Sequence, residues 1–181
     1  MLASKPSGVP PSGRLAGLVM PWSGLAMATA ILIVDQLSKW WIVHVVMHPP
    51  RAIPVTGFLN LVMGWNRGVS FGLLSSDVDW ARWALVALAL GIIGFLAAWL
   101  VRADRTLVRL ALGSIIGGAI GNLIDRLQFG AVADFLDFHA FGYHWYTFNV
   151  ADTGISVGAA VLLLDALFQG GEKPKNTESR A

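Results

Sequence analysis

The sequence predicts an all-α membrane protein, a bundle of four transmembrane helices with a small sheet lying on the membrane surface. Two observations carry that reading. The 181 residues are 55% hydrophobic and only 13% charged, against about 25% charged residues in an average soluble domain. Their long charge-poor stretches number four, each near the roughly 20 apolar residues that a spanning helix needs. Such a composition excludes a disordered chain, a fibrous repeat and an ordinary cytosolic enzyme. The absence of Cys removes disulfides, thiolate metal sites and cysteine nucleophiles. The net charge of +2 forms no basic face, so nucleic acid is not an expected partner. In so apolar a chain the cations belong beside a membrane.

In chain order, residues 1–21 read as a tail and residues 22–169 as one membrane domain. The first span covers 22–46: Pro21 suits the start of a helix, and Asp35 and Lys39 lie inside the apolar run. An alternative is a signal peptide, since Lys5 and Arg14 precede the run and Ala28-Thr29-Ala30 resembles a cleavage site. Cleavage there would leave Asp35 close to a new terminus. Residues 47–82 are not spanning material: Pro49, Pro50 and Pro54, several glycines and the β-prone run Phe58-Leu59-Asn60-Leu61-Val62 suggest a surface sheet, with Trp65, Trp80 and Trp83 in the interfacial belt.

The second span, 83–101, lies between Arg82 and Arg102. The third, 107–126, has a charge-free centre from Leu110 to Ile124 and is lengthened by Arg109, whose long side chain can snorkel to the interface. Gly113, Gly117 and Gly121 recur every fourth residue, a stripe that lets helix backbones approach closely. A connecting segment, 127–149, reads as a surface loop pressed against the bilayer or the bundle. The fourth span is 151–168, and 170–181 is a polar tail.

Lys5 and Arg14 precede the first span, Arg102, Arg105 and Arg109 join the second and third, and Lys173, Lys175 and Arg180 follow the fourth. By the positive-inside bias both termini are cytoplasmic, and 47–82 and 127–149 face the other side. Arg51, Arg67 and Arg82 are a minority signal against this orientation.

Charged groups in hydrocarbon are costly, so each is a candidate for function. Asp35 and Lys39, four apart, share a helix face and can pair. Ser38 beside Lys39 is a poor Ser-Lys catalytic pair, because adjacent helical residues point about 100° apart. Asn122 lies three residues before Asp125, near enough for its amide to hold the carboxylate, and Arg126 follows. Asp134 and Asp137 interrupt the apolar run Ala131–Phe138. Asn149 and Asp152 open the fourth span and can cap it; alternatively Asp152 faces Asp134 across a wet pocket. Two close carboxylates in a poorly solvated site share a proton and titrate as a pair, which is the chemistry of an aspartic protease. Spacing alone also permits Asp125 or Asp137 as the partner of Asp152.

Five blocks carry a resemblance to a known family: Asp35-Gln36-Leu37-Ser38-Lys39, Asn66-Arg67-Gly68-Val69-Ser70-Phe71, Gly117-Gly118-Ala119-Ile120-Gly121-Asn122-Leu123-Ile124-Asp125-Arg126, Val132-Ala133-Asp134-Phe135 and Phe148-Asn149-Val150-Ala151-Asp152. In this order they resemble lipoprotein signal peptidase, or signal peptidase II, of the bacterial inner membrane. The resemblance, over roughly residues 22–169, implies a multi-pass aspartic endopeptidase that removes the signal peptide of diacylglyceryl-modified prolipoproteins, cutting just before the lipidated Cys. It implies catalytic roles for Asp134 and Asp152 and supporting or substrate-binding roles for Asp35, Lys39, Asn66, Gly68, Asn122, Asp125, Arg126 and Asn149. An extracytoplasmic β-cradle from the 47–72 region and inhibition by globomycin-type peptides also follow from it. Membrane lipids are expected partners, the enzyme is expected to be a monomer, and an acidic pair that activates water requires no cofactor or metal. Ala133 stands where a second Val is usual, and Thr153 where Ser is common.

Two other classes fit part of the pattern. Intramembrane acids beside a lysine suit a cation-coupled transporter, although the polar residues cluster at one end of the bundle. His139 and His144 with Asp137 suggest a metal site, but five-residue spacing on a loop matches no strong ligand motif.

Overall fold

The computed structural model describes residues 20–68 and 79–169. The tails, apart from residues 20 and 21, and Val69-Ser70-Phe71 of the second block lie outside the described residues. Among the described residues, four helices are long and apolar enough to cross a membrane. They are α1 (Trp22–Trp41), continued by a π-helical turn over Ile42–Val46, α2 (Asp79–Arg102), α3 (Thr106–Phe129) and α4 (Val150–Gln169). Helix α2 begins four residues before the expected Trp83, so Arg82 lies within its first turn. From there Arg82 donates to the Leu127 carbonyl at 2.8 Å, satisfying a free acceptor at the end of α3.

Helix α3 is the axis of the bundle: 56% of its apolar window is buried, against 22% or less for each other span. The reason lies in its glycines. A Cβ on Gly113 would meet the Gly24 carbonyl, one on Gly117 the Ala28 carbonyl, and one on Gly121 the Asp35 carboxylate, all on α1. On another face, Gly118 lies against the Ala151 carbonyl of α4. The expected close approach of small residues therefore occurs on two sides at once. Helix α2 is apolar all round and exposes Leu88, Leu90, Ile92, Phe95 and Trp99, as a lipid-facing helix does.

At one end of the bundle sits a four-stranded antiparallel sheet of β1 (Ile53–Pro54), β2 (Leu59–Asn66), β3 (Val132–Ala140) and β4 (Tyr143–His144), in that order. The sheet from 47–82 is present, but the surface loop expected over 127–149 begins with the end of α3, to Phe129, and contains β3 and β4. Strand β3 pairs with β2, from Leu59 opposite Phe138 to Asn66 opposite Val132, with an irregularity between Leu61 and Gly64. Both faces of β3 are covered at its start, where Val132, Ala133, Asp134 and Phe135 are all buried. This removes the polar–apolar alternation that marks a half-exposed strand. Phe135 packs with Ile42 and Met47, fastening the sheet to the end of α1.

Overpacking of close helix contacts costs about 1–3 kcal/mol. Gly117→Ala is therefore expected to lower the thermal unfolding temperature in detergent by several degrees. Gly91→Ala, whose added methyl meets nothing within 4 Å, should leave it unchanged or slightly raised.

Candidate active site

The polar side chains expected in the membrane converge where the ends of α1, α3 and α4 meet β3. Lys39 is 4% exposed, and its ammonium lies 2.9 Å from both Asp35 and Asp125. A third contact, 3.0 Å long, goes to the Asn122 side-chain oxygen. Asp35 is fully buried and also accepts the Ala151 N–H at 2.8 Å, tying α1 to the first turn of α4. Asp125 accepts the Ala133 N–H at 3.1 Å and so fixes the start of β3. The expected contact between Asn122 and Asp125 is replaced: Lys39 sits against both, and the Asn122 amide donates instead to Asp152 at 2.7 Å. Ser38 donates to the backbone of Asp35 at 2.8 Å.

Asn149 is the link between the two acids singled out above. It caps α4 through a reciprocal pair: the Asp152 N–H donates to its side-chain oxygen at 2.9 Å, and its own N–H donates to the Asp152 carboxylate at 3.3 Å. This is the geometry of a capping box. The other end of the same side chain donates to Asp134 at 2.7 Å. Its position follows from the sheet, since Phe148 pairs with Leu136 and sets the next residue beside β3. Asp134 is 2% exposed and Asp152 partly exposed. Burial, reinforced by the nearby negative charge of Asp152, raises the pKa of Asp134 to about 6, although Asn66 and Asn149 hydrogen-bond its carboxylate. The cap of α4 and the bond to Asp134 are thus made by one Asn149 side chain.

Arg126 donates to the Asn122 carbonyl at 3.1 Å and stands in the field of Asp152, Asp125 and Asp134. Its Nε is buried without a hydrogen-bond partner among the described residues. Asn66, at the end of β2, accepts the Gly68 N–H at 2.8 Å. Gly68 has φ +84°, and a Cβ there would strike Leu85, so the turn requires glycine on both counts.

Sequence reasoning missed two contributors. Gln36 donates to Asp35 and Asp125 at 3.2 Å each and to the Gly121 carbonyl at 3.3 Å; its place between Asp35 and Lys39 in the first block was the available signal. Gly64 lies opposite Asp134 in the sheet, and a Cβ there would come within 3.3 Å of the Asp134 carbonyl. Asp137 lies farther along β3. Asn60 donates to it at 3.0 Å, holding its carboxyl below the usual range with help from His144, 2.9 Å away. The loop spacing that argued against grouping His139 and His144 is overridden by the hairpin, which sets them opposite each other.

Fold and cluster together define a multi-pass membrane protein with acidic side chains gathered at one end of its bundle. A family model described as Signal peptidase (SPase) II matches residues 27–168. A lipoprotein signal peptidase of Methylobacterium sp. (strain 4-46) is 44% identical over 146 residues, 80% of this chain and 88% of that protein. One of Caulobacter vibrioides is 46% identical over 147 residues, 80% and 86% of the two chains. A bacterial membrane enzyme solved by the in meso method at 2.3 Å superposes with a TM-score of 0.72 at 25% identity, covering 88% of this chain and 94% of its own. The chain belongs to the signal peptidase II family, and its function is that of a lipoprotein signal peptidase.

Breaking a buried ion pair by removing one partner costs about 3–5 kcal/mol. Lys39→Met, which strands two buried carboxylates, is expected to unfold well below the wild-type temperature and to lose resistance to proteolysis in detergent.

Proposed function

We propose that the chain is an aspartic endopeptidase that cuts diacylglyceryl-modified prolipoproteins just before the lipidated Cys, with Asp134 and Asp152 activating a water. The observation that carries this reading is the Asn149 side chain, which binds Asp134 at one end and the first turn bearing Asp152 at the other. Asp134, with its raised pKa, is suited to hold the proton and polarise the scissile carbonyl. Asp152, more open to water, takes a proton from the nucleophile. As the amine leaves, the roles reverse. Asp35, Lys39, Asn122, Asp125 and Arg126 position the pair, and Asn66 and Gly68 sit where β2 can hold the substrate backbone.

In this reading the sheet end of the bundle faces outward from a bacterial inner membrane, with both termini cytoplasmic. A substrate anchored by its signal helix and acyl chains enters laterally as far as the water-bearing end, and lipid burial supplies much of the positioning. A globomycin-type peptide would occupy the same place, and the enzyme works as a monomer.

Positioned acid–base groups contribute about 10²–10⁴-fold. Asp134→Asn and Asp152→Asn should each reduce cleavage of a lipidated precursor in a cell-free assay by that much or more, while Asp137→Asn retains turnover. A precursor lacking the diacylglyceryl group should be cut poorly by every active variant.

The pH dependence follows from the direction of the Asp134 shift. A carboxylate pKa raised by folding means that the folded state binds the proton more tightly than the unfolded chain, so ionising Asp134 above about pH 6 lowers stability. Asp134→Asn should therefore not lower the unfolding temperature at pH 7.5, although it abolishes activity. In the wild type, kcat/KM should decline as pH rises through the Asp134 pKa.

A further inference from the structure

The β3–β4 hairpin gathers three potential ligands outside the cluster just described. Asp137 and His139 are two residues apart on one strand and share a face, and His139 pairs directly with His144 across the hairpin. The register is pinned by Phe141-Gly142, both at positive φ, the conformation of a tight two-residue hairpin turn. One donor atom from each of Asp137, His139 and His144 lies within 4.8 Å of the others.

The His144 ring nitrogen is 2.9 Å from Asp137, and the two imidazoles stack with centroids 5.0 Å apart. Asp137 is buried, while the His144 side chain is 57% exposed, so the site has a fixed floor and an open approach. Asn60, opposite Asp137 in β2, donates to its carboxylate at 3.0 Å and lies 3.3 Å from His139. Outer contacts of this kind orient first ligands around a metal. Beside the cluster opens a cavity of ≈ 340 Å³ between Phe58, Phe138, Tyr143 and Trp145.

We propose that Asp137, His139 and His144 bind one divalent transition metal ion, of which Zn²⁺ is the best matched. Two imidazoles and a carboxylate are a donor set that zinc takes in tetrahedral sites, with water or an incoming group in the fourth position. Rotation of the exposed His144 ring and the half-buried His139 ring would bring the donors from their present spacing to metal–ligand distances of about 2.0–2.2 Å. The ion would fasten β4 and its aromatic tip to β3. Asp134 lies on the opposite face of that strand, three residues before Asp137, so the ion has no part in the hydrolytic step.

The test uses the full, untagged chain in phospholipid nanodiscs, stripped with a chelator and titrated with ZnCl₂. One Zn²⁺ per chain is expected, with a rise in unfolding temperature. Asn60→Ala should weaken binding by about 10–100-fold, and His139→Gln and His144→Ala by more. Asp134→Asn/Asp152→Asn should bind zinc as the wild type does, separating this site from the acidic pair. Co²⁺ gives a folding-independent signature, a visible absorption band that His144→Ala should lose while its unfolding temperature in chelator and its metal-free cleavage match the wild type. Failure of the wild type to take up stoichiometric Zn²⁺ overturns the proposal. So does zinc uptake that is the same in His139→Gln/His144→Ala as in the wild type.

Discussion

One buried ammonium, that of Lys39, decides how the ends of α1, α3, α4 and β3 come together. In hydrocarbon an isolated carboxylate is prohibitive, yet this bundle buries Asp35 and Asp125 almost completely. One cation within 2.9 Å of both makes that possible. Each acid then uses its remaining acceptor capacity on a backbone N–H, Asp35 at the start of α4 and Asp125 at the start of β3. A charge compensation inside the membrane thereby sets where the two later elements begin. Replacement by a neutral residue would leave two uncompensated charges, far more damaging than loss of an exposed pair such as Arg105 with Asp165.

The acidic pair inherits its placement from that scaffold. Asp134 follows immediately after the anchored Ala133, and Asp152 immediately after the anchored Ala151. Asn149 and Asn122 close the remaining gap, with Asn122 held in turn by Lys39. A side chain that both caps a helix and bonds a carboxylate on a neighbouring strand couples helix formation to site assembly. Glycines on α3 make this possible, because Gly121 leaves the space that the Asp35 carboxylate fills.

Much of this was legible in the sequence, and what was not has physical causes. The four spans are long apolar runs whose signal survives any packing. The glycine stripe announced a close helix approach, and an ion pair between Asp35 and Lys39 followed from their spacing. Strand β3 was obscured because a strand covered on both faces loses the period of two. Helical proximity pairs Asn122 with Asp125, whereas a lysine 83 positions away sits against both, a contact no local spacing reveals. Gln36 and Gly64 act through partners distant in sequence. His139 and His144 look unrelated by ligand spacing until a tight turn makes them cross-strand neighbours.

Burial raises the pKa of Asp134, and the negative charge of Asp152 reaches it and adds to the rise. Isotope-edited infrared titration of the Asp carboxyls in nanodiscs, comparing the wild type with Asp152→Asn, tests it most directly. The wild-type Asp134 midpoint is expected near 6 and should fall once the neighbouring charge is gone. An Asp134 midpoint identical in the two proteins would contradict it.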